Sequence, residues 1–374
     1  MAPSKWTSAV SYRLTQPFRI EAIEREVKRE RPDDVLLRPR LTGVCASDLK
    51  LYAGTRDRKA LSRKLPLALL HEGVAEVVEC GAAATHLRPG TRVVVVPNVP
   101  CYVAYPDLYP SKAEGCLACR PGGAGENYCL HNLYLSSNTD GLAQSVFRHP
   151  ASLCVPIPAE LPDRFAALTE PLTTILAGCE KAPIRPDARY LVLGNGPLGQ
   201  LVAICLIGLY GVPRGAIAMS GRDWQNRRAT LALVGEVLDG DDRQSFASLR
   251  GKVDIVFECV GGDANGETLE EAVDCLRPGG TAVLFGPSEK SVLINTREVI
   301  AKGLVFLGAN RSFVPHFQTV VTRLQDAGVQ RILEGVLGRE QFLVRSADDL
   351  NRALYHAWTR RDAGKTLIGW AGPE

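Results

Sequence analysis

The stretch from Tyr190 to Tyr210, YLVLGNGPLGQLVAICLIGLY, decides the fold. Four apolar residues run straight into Gly194, Gly196 and Gly199, spaced Gly-x-Gly-x-x-Gly, and an apolar helical pattern follows from Gln200. Such a triplet points to a dinucleotide only in this setting, directly after a strand and at the opening of a helix. Gly194 then makes the tight turn, Gly196 lets the backbone approach a pyrophosphate, and Gly199 lets helix and strand pack closely. Pro197 and Leu198 fall in the first turn, where free N–H groups and the positive end of the helix dipole favour phosphate.

The same texture continues downstream. Apolar runs at 216–219, 254–258, 282–285 and 304–307 alternate with helical patterns, such as Leu269, Ala272, Val273 and Leu276 at i, i+3, i+4 and i+7. This alternation predicts a parallel sheet covered on both faces. Upstream, short β-type runs at 35–37, 74–78 and 92–96 lie between Gly, Pro and Asp. The segment after residue 310 is too small to stand alone, so it is expected to complete the first domain. The expected fold is α/β: a β-rich domain over 1–172, a doubly wound cofactor domain over 173–309, and a return segment over 310–374.

The end of the second strand of such a domain selects the cofactor. Met219-Ser220-Gly221-Arg222-Asp223 follows the run at 216–219, with Arg227 and Arg228 behind it. A carboxylate there would repel a 2′-phosphate, whereas Ser220, Arg222 and Arg227 can surround one. The reading is NADPH/NADP+. An alternative turns Asp223 to the ribose and leaves Arg222 in solvent.

Composition narrows the class. The chain has 374 residues, 45% hydrophobic and 23% charged, and 44 Lys+Arg against 41 Asp+Glu gives +3. That balance disfavours a nucleic-acid coat or an acidic tail. No apolar run is long enough for a bilayer, and the N-terminus lacks a secretory pattern, so a cytoplasmic protein with no nucleic-acid or membrane partner is expected. Eleven cysteines in such a chain read as reduced thiols or metal ligands.

Three fragments upstream of the glycines share one explanation: Gly43-Val44-Cys45-Ala46-Ser47-Asp48, His71-Glu72-Gly73 and Thr169-Glu170-Pro171. Together they resemble the zinc-dependent medium-chain alcohol and polyol dehydrogenases. The resemblance implies a GroES-like catalytic domain beside a Rossmann domain. It implies a catalytic zinc held by Cys45, His71 and Glu170, with Glu72 as an alternate or supporting group. Thiolate, imidazole and carboxylate suit zinc, and three of them leave a fourth position for substrate. Leu70 departs from the glycine usual before the histidine. Zinc would polarise a ketone as hydride arrives, Ser47 would start the proton relay, and Asp48 would orient His71. Cys101, Cys116, Cys119 and Cys129 lie where the superfamily carries a structural-zinc lobe, although the first gap is long. The alternative there is a lobe of idle reduced thiols.

A narrower resemblance spans residues 43–370. Tyr52-Ala53-Gly54-Thr55-Arg56, Phe257-Glu258-Cys259, Asn295-Thr296-Arg297 and Gly364-Lys365-Thr366 are similar to the ribitol-5-phosphate dehydrogenases of wall teichoic acid synthesis. That implies reduction of D-ribulose 5-phosphate to D-ribitol 5-phosphate with NADPH. Tyr52, Arg56, Lys59 and Arg311 are the candidate substrate residues, since guanidinium and ammonium groups hold phosphate. The strand near 304–307 falls at the family's dimerisation edge, so a homodimer or homotetramer is expected. The competing readings are a polyol or cyclitol dehydrogenase of a natural-product pathway and an NADPH-binding protein without catalysis.

Overall fold

A computed structural model describes residues 7–56, 61–288, 290–359 and 364–371, apart from the side chains at 226–229, 263, 339 and 340. One sheet has six parallel strands, in the spatial order Glu236–Asp239, Ile217–Gly221, Tyr190–Leu193, Val253–Glu258, Leu276–Leu284 and Val305–Gly308. Along the chain that order is third, second, first, fourth, fifth, sixth, which is the doubly wound Rossmann arrangement. Its ligand crevice lies beyond the carboxyl ends of the first and fourth strands, where the winding reverses. All four residues of Tyr190–Leu193 are buried, because a central strand is covered on both faces. Glu236–Asp239 buries only Leu238, so an edge strand of this kind leaves little apolar signal in the sequence. The helix expected to reach Leu276 spans Asn265–Cys275, and Leu276 already opens the next strand because Pro278 and Gly279 cannot continue a helix.

The other large sheet has seven strands. Cys154–Pro156, Arg92–Val95, Glu72–Cys80, Asp34–Gly43, Lys365–Trp370 and Leu337–Val344 follow in order, and Phe147–Pro150 also pairs with Asp34–Gly43. Two strands of the segment after residue 310 therefore belong to the sheet that carries Cys45 and His71. A single apolar core joins the two sheets, from Val74 and Val94 through Phe165 and Ile175 to Tyr190, Leu201 and Phe257. The almost wholly buried helix Thr169–Cys179 lies in this core between the sheets. Each such fully buried large side chain contributes about 1.5–3 kcal/mol. No helix among the described residues is long and apolar enough to cross a membrane.

Candidate active site

Strand register builds the centre of the site. Gly43 pairs with Glu72 and also with Leu367, which sets the ends of three strands side by side. Cys45 follows as the N-cap of the helix Ala46–Tyr52, and His71 stands just before its own strand. The ligand atoms of Cys45, His71 and Glu72 all lie within 4.8 Å of one another. A Cβ on Gly43 would sit 2.6 Å from Glu72 Oε2, so a side chain there would push on that carboxylate. Lys365 Nζ, itself buried, lies 2.7 Å from Glu72 Oε1 and 2.5 Å from Oε2.

Asp48 supports this cluster from inside the core. It is fully buried, accepts from the backbone N–H of Cys45 at 3.1 Å and of Leu70 at 3.2 Å, and accepts from Ser136 Oγ at 2.5 Å. Its Oδ1 also lies 3.3 Å from His71 Nδ1. Burial disfavours a charged His71, but Asp48 and the Cys45 thiol outweigh it and hold the ring well above the ordinary imidazole value. A buried ring beside the Asp48 carboxylate and the Cys45 sulfur favours positive charge, which a divalent ion supplies as a proton does. The donor set of soft thiolate, imidazole and carboxylate fits zinc. Leu70 adopts φ +71°, the left-handed region that glycine occupies freely, which accounts for the usual glycine before this histidine.

The two candidate carboxylates are placed differently. Glu72, expected as an alternate group, stands with Cys45 and His71, whereas Glu170 does not join that set. Tyr134 donates its hydroxyl to Glu170 Oε1 at 3.0 Å, and Thr174 Oγ1 lies 3.4 Å from the same oxygen. Burial and the nearby Glu72 raise the Glu170 pKa against the pull of His71. Ser47 is half-buried in the first turn after Cys45.

The four lobe cysteines do come together. Cys101, Cys116, Cys119 and Cys129 are all buried, with their sulfurs within 4.8 Å of one another. Backbone N–H groups of Cys101, Cys116 and Leu130 point at the sulfurs of Cys129, Cys101 and Cys116 at 3.3–3.4 Å. Burial works against a Cys116 thiolate, but N–H groups of Leu130, Cys119 and Ala118 outweigh it and bring the pKa down to about 6. Four convergent sulfurs, three of which accept backbone N–H bonds, form a donor set suited to a closed zinc site.

The glycines take up distinct geometries. Gly194 has φ +107°, and a Cβ on Gly199 would lie 1.9 Å from Gly194 O. A Cβ on Gly196 would meet nothing within 4 Å, so its backbone faces open space at the N-terminus of the 14-residue helix Pro197–Tyr210. Such a cradle fits a pyrophosphate. Ser220 is buried at the end of the second strand. Arg222 is largely exposed, and its Nε pairs with Asp241 Oδ1 at 2.7 Å, a competing carboxylate that the sequence did not announce. The side chain of Arg227 lies outside the described set. Glu258, also not foreseen, is fully buried and accepts from the N–H groups of Val260, Gly261 and Gly286, which ties together two loops at the strand ends. An acid closing the apolar run Val253–Glu258 before two glycines was its signal in the sequence.

Among the candidate substrate residues, Tyr52 is a correction. It is completely buried and donates its hydroxyl to Asn351, with its ring edge-on to Phe18 at 5.1 Å, so it serves the core. Arg56 Nε is buried without a hydrogen-bond partner. Lys59 lies outside the described residues. Arg311 does reach the site. Its Cζ stands 5.3 Å from the centre of the Tyr134 ring, and that ring lies 5.6 Å from the His71 ring. Arg311 Nη1 also donates to Asn132 Oδ1 at 3.3 Å from a backbone at φ +58°. Tyr134, Asn132 and Lys365 therefore join the candidate site, and sequence reasoning had not singled them out.

Residues 31–159 match the alcohol dehydrogenase GroES-like domain, and residues 198–326 match the zinc-binding dehydrogenase domain. Ribulose-5-phosphate reductase 1 of Staphylococcus aureus is 31% identical over 363 residues, which is 96% of this chain and 98% of that protein. The ribulose-5-phosphate reductase of Streptococcus pneumoniae is 28% identical over 362 residues, 96% of each chain. Among solved structures, S. aureus TarJ in complex with NADPH matches with a TM-score of 0.76 at 26% identity, covering 98% of this chain and all of that one.

Proposed function

The chain belongs to the zinc-binding alcohol dehydrogenase family, and on that premise we propose that it reduces D-ribulose 5-phosphate to D-ribitol 5-phosphate with NADPH. One observation carries the substrate reading. The Tyr134 ring lies 5.6 Å from the ring of His71, which would hold the metal, and 5.3 Å from the Arg311 guanidinium. A ketone and an anionic group on one short substrate need such a pair of anchors. The names of the Staphylococcus and Streptococcus relatives support the same choice.

When bound, zinc would supply Lewis-acid polarisation of the ketone, and NADPH would supply the hydride. Cys45, His71 and Glu72 would hold the metal, and Glu170 is the carboxylate in reserve at Tyr134. Asp48 faces His71 Nδ1, fixes the ring and leaves its other nitrogen for the metal. Lys365 neutralises Glu72, so the centre keeps an excess of positive charge for a developing alkoxide. The Ser47 hydroxyl gives a proton to that oxygen and recovers one from solvent. Gly194, Gly196 and Gly199 with the first turn of Pro197–Tyr210 would seat the pyrophosphate, and Ser220 and Arg222 the 2′-phosphate. We assign 1–172 with 310–374 to catalysis and 173–309 to the cofactor. Leu293, Ile300 and Val305 are exposed around the unpaired edge strand Val305–Gly308, which supports assembly as a homodimer or a tetramer built on it.

The test is NADPH oxidation with phosphorylated and free ketoses. D-ribulose 5-phosphate is expected to react far better than D-ribulose, and Arg311→Ala to raise its KM by roughly ten- to a hundredfold, as loss of a charge-assisted contact does. If D-ribulose or a cyclitol ketone reacts as well as the phosphate, the substrate assignment is wrong.

A further inference from the structure

We infer that the four-cysteine lobe is the device that positions Arg311, acting through Tyr128 and Asn132. This rests on the reading of Arg311 as the phosphate anchor and adds how the anchor is held. Two short segments run beside each other, residues 128–132 of the lobe and residues 308–311 at the end of the sixth parallel strand. They are stapled at both ends. At one end the Tyr128 hydroxyl donates to Gly308 O at 2.8 Å, and Lys181 Nζ, 3.9 Å from the centre of the Tyr128 ring, donates to the same carbonyl at 3.2 Å. Lys181 also bonds the Tyr128 hydroxyl. At the other end Arg311 Nη1 donates to Asn132 Oδ1 at 3.3 Å.

The orientation of Asn132 is itself prescribed. Its Nδ2 donates to Asn98 Oδ1 at 2.7 Å, so its carbonyl oxygen is the atom left for Arg311. Asn98 in turn donates to the Glu126 carbonyl at 3.0 Å, inside the lobe. Cys129 lies between the two staples, and its sulfur packs with those of the other three cysteines. The lobe thus sets the positions of both partners, Tyr128 and Asn132. Arg311 needs that support because its backbone is left-handed at φ +58°, a conformation a non-glycine residue keeps only when its surroundings impose it. Tyr128 is therefore a positioning residue for phosphate recognition, with no contact to the reacting atoms.

The experiment compares Tyr128→Ala, Tyr128→Phe and Arg311→Ala with the wild-type holoenzyme, using D-ribulose 5-phosphate, D-ribulose and NADPH. Tyr128→Ala is expected to raise the KM for D-ribulose 5-phosphate roughly three- to tenfold, the loss of one net hydrogen bond. The KM for NADPH and the kcat/KM for D-ribulose should stay as in the wild type. Tyr128→Phe keeps the ring under Lys181 and should fall between the two, and it carries the test alone if the alanine variant does not fold. A raised KM in Arg311→Ala with an unchanged KM in the Tyr128 variants overturns the positioning role and leaves the anchor in place. Equal losses on the phosphorylated and free sugars overturn it as well, since they mark general destabilisation. If Arg311→Ala binds the phosphorylated sugar normally, the anchor reading fails and the positioning role falls with it.

Discussion

Arg222 and Asp241 form an ion pair with both side chains more than 60% exposed. Pairs of that kind are worth only about 0.2–1 kcal/mol, yet this one occupies the guanidinium assigned to the 2′-phosphate. Asp241→Asn is therefore expected to tighten NADPH binding by roughly two- to fivefold with NADH unchanged, and fluorescence titration of both cofactors measures it. Arg222→Ala should weaken NADPH by about tenfold or more. His149 gives a second residue-level expectation. Burial pushes its imidazole down to about 4, with Nε2 on Val96 O at 3.0 Å. The unfolded chain takes up this proton near pH 6.5 and the native ring does not until about pH 4. Stability is thus intact above pH 6.5 and is lost as pH falls toward 4, by up to roughly 3 kcal/mol. His149→Gln should remove one proton's worth of slope from unfolding free energies measured between pH 7 and 4.5. The identities Cys45, His71, Asp48 and Arg311 were legible as residue types. Where Glu72 and Glu170 are held was not, because Lys365 and Tyr134 bond the two carboxylates and neither partner is near in sequence.

At the level of elements, the glycine turn separates two effects that the motif merges. Gly196 has φ −71° and open space at its Cβ position, so Gly196→Ala should leave the melting temperature unchanged and weaken NADPH by about tenfold or more. Gly199→Ala drives a methyl into Gly194 O, and should lower both, with a stability cost of at least about 1–3 kcal/mol. The two metal sites divide in the same way. Cys45→Ser should abolish turnover with little change in melting, whereas Cys116→Ser should lower both melting temperature and zinc content, because a closed zinc site contributes folding energy. Unchanged zinc and melting in Cys116→Ser would remove the structural role of the lobe. The central strands were readable because burial on both faces makes them continuous apolar runs. Glu236–Asp239 was not, since only Leu238 is buried there, and Tyr52 was misplaced because a matched motif does not reveal which way a side chain turns.

Across the whole molecule, the exposed Ile300, Leu293 and Val305 beside an unpaired sheet edge set up a test of assembly. Ile300→Glu is expected to shift the protein toward monomer in light scattering at micromolar concentration, with NADPH affinity retained. A wild type that is already monomeric there would set the dimer aside. The sheet topology also has a consequence for synthesis on the ribosome. Lys365–Trp370 is an interior strand, lodged between Asp34–Gly43 and Leu337–Val344, and it delivers Lys365 to Glu72 across 293 residues of chain. The six parallel strands, Tyr190 to Gly308, have all emerged before it is translated. A nascent chain can therefore close its nucleotide sheet while the Leu41–Gly43 end of its strand, which Phe147–Pro150 does not cover, stays open and Glu72 waits without its ammonium partner. Chains stalled in that interval should bind NADPH yet hold no working metal centre, with backbone groups of Leu41–Gly43 beside Cys45 still unpaired.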